Sequence, residues 1–252
     1  MCGIVGVWHA GTAGPVDRDV LVRMRDVMVH RGPDGAGLWL SDDRRVGLAH
    51  RRLAIVDLAE SAGQPMTNED GTVVVAFNGE IYNHLELRRE LEAAGHVFRT
   101  DHSDTEVIVH GYEEWGLDCV ERFRGMFAFG LWDGSARRLW LVRDRIGVKP
   151  LYWTTRDGRF RFASETKALL ADPDVPRRVN VTALYHYLSF LTTPAPDTLF
   201  DGIRKLPGGC WITVDADGDV DERRWWDVWD EARELGDASE DELADALLRE
   251  LR

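Results

Sequence analysis

The chain has 252 residues, 44% hydrophobic and 10% aromatic, enough apolar material for one large domain or one domain with an appendage. No run approaches the roughly 18 apolar residues of a membrane span, the N-terminus lacks the basic start and long apolar stretch of a signal peptide, and a net charge of -13 excludes the basic face that nucleic acid requires. Cys2, Cys119 and Cys210 are too few and too scattered for a disulfide framework or a metal centre, and they suit a reducing, cytoplasmic setting.

CGIVGVW (2–8) is a short, nearly continuous apolar run and predicts a buried strand. Val16, Val20, Met24, Val27 and Met28 recur at helical spacing and predict a helix over 16–29. HRGPDG (30–35) reads as a loop. The runs GLWLS, VGLAH, RLAIVDL and TVVVAFN predict strands, with NEDG (68–71) as a hairpin turn. A strand is expected to end at Phe77, and Asn78-Gly79 follows it. HLELRRELEAAG (84–95) is an amphipathic helix stopped by Gly95. SDTE (103–106) has the form of a capping box, Ser103 with Glu106, before a helix to about Trp115. MFAFGLWDGSARRLWLVRD predicts two strands around DGS. PLYW and RFRFASE continue the β pattern, VTALYHYLSF (181–190) is a helix, TPAP (193–196) a bend and CWITVDADGDV a hairpin. A second capping box, Ser239 with Glu242, opens a helix that is still running at Leu251-Arg252. Residues 211–252 hold 15 acidic and 5 basic residues, so this stretch is of a different kind from the near-neutral remainder. Adjacent hairpins with grouped helices favour an α+β fold of antiparallel sheets layered with helices.

Four clusters carry chemistry. If Met1 is removed, Cys2 presents a thiol and a free α-amine on one carbon. The amine, with an ordinary pKa of about 7.7–8.0, can serve as the base for a thiol of pKa about 8.5. N-terminal hydrolases use this pairing; the plain alternative is a small buried residue at a strand start. The Asn78 side-chain amide and the Gly79 N–H are donors suited to an oxyanion, against the alternative of an ordinary Asn-Gly turn. Arg51 and Arg52 each offer a fork for a carboxylate, but strand alternation sends them to opposite faces, so one of the two should reach a pocket. Asp104 suits a helix start and equally suits a substrate ammonium. A substrate with an amide, a carboxylate and an ammonium fits the set, and free glutamine has all three.

Cys2-Gly3-Ile4 with Gly6, HRGPD (30–34), RLAIVDL (52–58), FNGEIYN (77–83), SDTEV (103–107), GMFAFGLWD (125–133), RDRIGVKPLYW (143–153) and FASETKAL (162–169) resemble the glutaminase half of glutamine-hydrolysing asparagine synthetase, in order, over roughly 2–215. NGEIYN with HRGPD favours that branch over phosphoribosyl-pyrophosphate amidotransferase or glucosamine-phosphate synthase. The resemblance implies an N-terminal-nucleophile hydrolase fold, a four-layer αββα sandwich of two antiparallel sheets, over 1–215. Residues 216–252 would be an acidic linker and the start of an absent or truncated ATP-dependent synthetase domain. It implies that Cys2 is the nucleophile, that Asn78 and Gly79 form the oxyanion hole, and that Arg52 binds the glutamine carboxylate. Leu53, Ala54, Ile55 and Val56 would line that site through their backbone, Glu80 and Asp104 would hold the amine, and Arg31 and Asp34 would be structural.

The resemblance also implies L-glutamine as substrate and aspartate as the default acceptor of the ammonia. The family's ATP-binding SGGxDS loop does not occur in the sequence; Gly208-Gly209 in LPGGC lacks its Ser and Asp. No cofactor or metal is therefore expected in this chain. ATP and Mg belong to a synthetase domain supplied in cis or in trans, and a homodimer, no nucleic acid and no membrane complete the expected partners. Trp225, Trp226 and Trp229 are either core or a contact for that domain. Cys119 and Cys210 read as ordinary buried residues; His30, His50, His84 and His110 lack metal-like spacing. Two other readings stand beside the glutaminase: a non-catalytic regulatory or interaction module if Met1 is retained, and a self-processing amidase, for which one residue before the cysteine is too short a propeptide.

Overall fold

A computed structural model describes residues 1–54, 62–230 and 238–250. In chain order the strands are β1 (Gly3–His9), β2 (Gly35–Leu40), β3 (Val46–Arg52), β4 (Met66–Thr67), β5 (Val73–Ile81), β6 (Gly125–Asp133), β7 (Arg138–Arg143), β8 (Tyr152–Arg156), β9 (Arg159–Ala163), β10 (Arg204–Lys205), β11 (Cys210–Val214) and β12 (Val220–Arg224). The helices are α1 (Arg18–Asp26), α2 (His84–Ala94), α3 (Thr105–Trp115), α4 (Cys119–Arg122), α5 (Thr166–Leu169), α6 (Val181–Phe190) and α7 (Glu240–Glu250). The strands form two six-stranded sheets, ordered β10-β8-β9-β1-β3-β2 and β12-β11-β7-β6-β5-β4. The neighbouring strands run antiparallel.

Side-chain alternation explains the layers. Successive residues of a strand face opposite sides. On β1, Ile4 and Trp8 point at the second sheet, where they meet Val74, Ala76, Ala128, Trp132 and Leu141. Val5 and Val7 point the other way and pack with Leu21 and Met24 of α1 and Ala168 and Leu169 of α5. On β5, Val74 and Ala76 face the first sheet, while Val75 and Phe77 meet Leu87, Leu91, Ile108 and Tyr112 of α2 and α3. The result is helix, sheet, sheet, helix, the four-layer α+β sandwich expected. A Cβ on Gly6 would lie 2.2 Å from the ring of Phe162, its neighbour on β9, so glycine there makes room for that ring.

The structure departs from the sequence expectations at the end of β5 and at the Ser103–Glu106 box. β5 does not end at Phe77; Asn78–Ile81 stay in the ladder, paired with Ala128, Phe127, Met126 and Gly125. The pairing over Asn-Gly is tight, since a Cβ on Gly79 would meet Met126 O at 2.4 Å, so this glycine serves close strand approach and not a turn. Of the run RLAIVDL, Arg52 finishes β3 and Leu53 and Ala54 leave it, and positions 55–58 lie outside the described residues. The Ser103–Glu106 capping box does not form. Ser103 Oγ accepts from Thr105 N, and Glu106 turns back to the N–H groups of Arg99 and Thr100 at 2.6 and 2.9 Å, fastening the loop before the helix. The β11–β12 hairpin carries the second sheet on to Arg224. The Ser239–Glu242 box does form, with Ser239 N donating to Glu242 Oε2 at 2.9 Å and Glu242 N to Ser239 Oγ at 3.4 Å.

Cys119 and Cys210 are buried, and burial raises both thiol pKa values, Cys210 to about 11. The tryptophans divide: Trp225 stacks on Phe127 with ring centroids 6.5 Å apart, whereas Trp229 is 79% exposed. No helix among the described residues is long and apolar enough to cross a membrane.

Candidate active site

The parity that builds the core also builds a cavity. Cys2 precedes β1 in step with Ile4 and Trp8, and Asn78 and Glu80 continue the β5 face of Val74 and Ala76. The inter-sheet layer thus changes from apolar to polar at one end. There it opens into a pocket of about 170 Å³ lined by Cys2, Arg52, Leu53, Ala54, Asn78, Gly79, Glu80 and Asp104, among others.

Cys2 is half-buried and held on both sides. Leu53 N approaches its Sγ at 3.4 Å and Leu53 O lies 3.7 Å from it, which accounts for the departure of Leu53 from β3. Arg31 Nε donates to Cys2 O at 2.8 Å, while Arg31 itself is paired with Glu165 at 3.0 Å. Asp34 accepts from Ala54 N at 2.9 Å and donates its own N–H to Arg52 O at 3.0 Å. The HRGPD loop therefore braces Cys2 and the 52–54 segment. Arg51 and Arg52 separate as alternation requires: Arg51 donates to Gly32 O at 3.0 Å beneath that loop, and Arg52 lines the pocket.

The donors on β5 follow from the ladder. Phe77, Gly79 and Ile81 direct their N–H groups to the same edge of the strand. Beyond the two-residue β4 no further strand covers that edge among the described residues. Phe77 N donates to Gln64 Oε1 at 2.7 Å and Ile81 N to Asp104 Oδ2 at 2.9 Å, which leaves the Gly79 N–H between them at the pocket wall. Asn78 is 1% exposed, and its Nδ2 has no hydrogen-bond partner among the described residues. A buried amide donor without a partner costs about 1–3 kcal/mol, so its presence beside a cavity marks a place built to receive an acceptor.

Asp104 is buried, and burial raises its carboxyl pKa, opposed by the Ile81 N–H and His84 and reinforced by Glu80. It sits at the α3 N-terminus but makes no side-chain capping bond, being turned instead toward Ile81 and the pocket. The structure brings Cys2, Arg52, Leu53, Ala54, Asn78, Gly79, Glu80 and Asp104 to one cavity. Ile55 and Val56 lie outside the described residues.

The chain matches the family described as "Glutamine amidotransferase domain" over residues 1–226. It belongs to that family. This amidotransferase domain is 43% identical over 223 residues to asparagine synthetase [glutamine-hydrolyzing] 1 of Bacillus subtilis, covering 87% of this chain and 34% of the relative. It is 38% identical to asparagine synthetase [glutamine-hydrolyzing] 3 of the same organism, covering 100% of this chain and 41% of that one. The domain therefore spans between a third and about two fifths of the length of these relatives. In fold it is similar to the glutamine phosphoribosylpyrophosphate amidotransferase of B. subtilis, with a TM-score of 0.65 at 19% identity over 89% of this chain and 49% of that chain.

Sequence reasoning missed two members of this amidotransferase pocket. Lys149 is 4% exposed and lines it, its Nζ 3.1 Å from Met1 Sδ. Burial lowers its pKa, against the attraction of Asp144 and Glu80. Gln64 bridges Phe77 N to Thr105 Oγ1, tying β5 to the start of α3. Both come from irregular segments, where no periodicity announces a direction; the lysine within RDRIGVKPLYW was the available signal.

Proposed function

We propose that this domain hydrolyses L-glutamine to glutamate and ammonia, with Cys2 as the N-terminal nucleophile once Met1 is removed. The single observation that carries the reading is the buried, unpartnered Asn78 amide on the wall of the cavity that holds Cys2. The Cys2 α-amine takes the thiol proton, and Sγ attacks the glutamine Cδ. The oxyanion receives hydrogen bonds from Asn78 Nδ2 and Gly79 N–H, donors that in such sites are worth about 10²–10³ in turnover. The C–N bond then breaks, the amine returns its proton to the leaving ammonia, and water attacks the γ-glutamyl thioester to release glutamate.

Arg52 binds the α-carboxylate, the backbone from Leu53 to Val56 lines its site, and Glu80 and Asp104 hold the α-ammonium. The three charged contacts read the amino-acid end of glutamine and leave the amide end to Cys2. The ammonia passes to an ATP-dependent amidating domain or partner, aspartate being the default acceptor. The names of the relatives and the share of their length left unmatched support that assignment. Exposed apolar side chains support it too: α6 exposes Val181, Tyr185, Leu188 and Phe190, and Trp229 is exposed after β12, all available to a partner. The amidotransferase unit is placed at 1–226, and the acidic stretch beyond it leads toward the amidating domain. The cytoplasm is the proposed setting, where the Cys2 thiol stays reduced.

A second reading rests on Met1, whose side chain lines the same cavity beside Lys149. A chain that keeps Met1 has no free Cys2 amine and is a non-catalytic module. Release of ammonia from glutamine, assayed on protein whose N-terminus has been read by mass, tests the choice. Turnover by chains beginning at Cys2 and none by chains beginning at Met1 is the expected result, and equal turnover by both would refute it.

A further inference from the structure

A second cluster lies in the helical layer outside the second sheet, and none of its residues lines the Cys2 cavity. His96 follows the end of α2, and His110 and Glu113 stand one turn apart on α3. One donor atom from each of the three lies within 4.8 Å of the others. His110 Nδ1 is 2.9 Å and His96 Nδ1 3.7 Å from the same oxygen, Glu113 Oε2. Two imidazole nitrogens and a carboxylate oxygen therefore converge on one point.

The outward atoms of these three groups are supported as well. His96 Nε2 meets Glu114 Oε2 at 3.1 Å, and Glu113 Oε1 accepts from Asn68 Nδ2 at 2.8 Å. His110 is 1% exposed; its Nε2 has no hydrogen-bond partner among the described residues and faces Glu106 Oε1 at 3.7 Å and Glu69 Oε1 at 3.8 Å. Imidazoles whose far nitrogens are turned to carboxylates, beside a carboxylate braced by an amide, are the outer arrangement that orients metal ligands. Charge points the same way. Glu69, Glu106, Glu113 and Glu114 surround two histidines, so protonating both still leaves negative charge in excess. Metal ligation needs both imidazoles neutral, so a divalent cation offsets half of the four negative charges, and the nitrogen-rich donor set selects zinc-like ions over calcium or magnesium, which take oxygen ligands.

We propose that His96, His110 and Glu113 bind one first-row divalent transition ion of the zinc type, with solvent completing the coordination on the side where Glu113 reaches water. The ion pins the segment after α2 to α3 and has no part in the chemistry at Cys2. The sequence did not announce the site because His96 and His110 are 14 positions apart and meet only when α3 packs beside the end of α2.

The test uses the full chain carrying Cys2→Ala, which removes the half-exposed thiol as a competing ligand. Metal-free protein is dialysed against Zn²⁺ alone and bound zinc is measured by elemental analysis; Co²⁺ is then substituted and its visible absorption recorded. The expected result is one ion per chain, a raised thermal midpoint and a Co²⁺ spectrum with nitrogen ligation. His96→Ala and Glu113→Gln, both at the solvent side of the cluster, should keep the circular dichroism of the parent and lose stoichiometric binding. Glu114→Gln should weaken binding by about 10–100-fold. Absence of zinc from the Cys2→Ala chain, or equal zinc in the His96→Ala and Glu113→Gln chains, would overturn the proposal.

Discussion

The space between the two sheets has two ends with opposite outcomes. At one, Trp8, Trp132, Phe160 and Phe162 fill the gap, with Trp8 and Trp132 edge to face at 5.0 Å. At the other, the same faces of β1 and β5 present Cys2, Asn78 and Glu80, and the gap stays open as a pocket. Backbone and parity are shared, and only the residue types change. The pocket is thus a continuation of the core in which polar side chains replace packed rings, held open by braces from outside: Arg31 on Cys2, Asp34 on Ala54, Gln64 on Phe77 and Asp104 on Ile81.

Substitutions at the two ends should separate activity from stability. Cys2→Ala is expected to remove glutaminase activity entirely while the thermal midpoint stays near that of the parent, as read by ammonia release and differential scanning calorimetry. At the packed end, Phe162→Ala should cost about 3–5 kcal/mol of stability, the usual range for a buried phenylalanine. Urea denaturation would show it as a lowered midpoint, with the turnover of the remaining folded protein little changed. Asn78→Ala should lower kcat by about 10²–10³ and leave KM for glutamine nearly as it was, since the amide meets the oxyanion and not the substrate's charged end. A fall in KM-dependent binding alone would assign Asn78 to the ground state instead.

Two smaller effects sharpen the polar end. Burial raises the Asp104 pKa. The folded chain therefore holds this proton more tightly than the unfolded chain, and the contribution of Asp104 to stability falls as pH rises from the ordinary carboxylate range through its raised value. Glutamine binding has the opposite slope, because the substrate ammonium needs the ionised form. Calorimetric titration should show affinity weakening as pH drops through that raised value, and Asp104→Asn should flatten the dependence along with weakening binding. Burial lowers the pKa of Lys149, whose side chain lines the pocket that holds Cys2. Lys149→Met should lower kcat/KM for glutamine by about tenfold, on the order of 1.4 kcal/mol, as read by ammonia release.

Much of this was legible in the sequence because strand parity and residue type act locally. Alternation separated Arg51 from Arg52, and hairpin turns gave the antiparallel sheets. The strand was expected to stop at Phe77, before a pair common in turns; what keeps Asn78-Gly79 in the ladder is the close pass of Met126 and Phe127, about 48 positions away in the chain. Glu106 was read as a cap because its spacing from Ser103 is right, yet the N–H groups of Arg99 and Thr100 compete for it more effectively. Lys149, Gln64 and the His96–His110 pair depend on how loops and helices are brought together, and no local pattern encodes that.

Intact-mass spectrometry of the chain quenched during turnover with glutamine bears most directly on Cys2 as an N-terminal nucleophile. The expected species begins at Cys2 and carries a γ-glutamyl group on that residue, which hydroxylamine removes. Turnover by a chain that still carries Met1, or an acyl group found on any other residue, would contradict it.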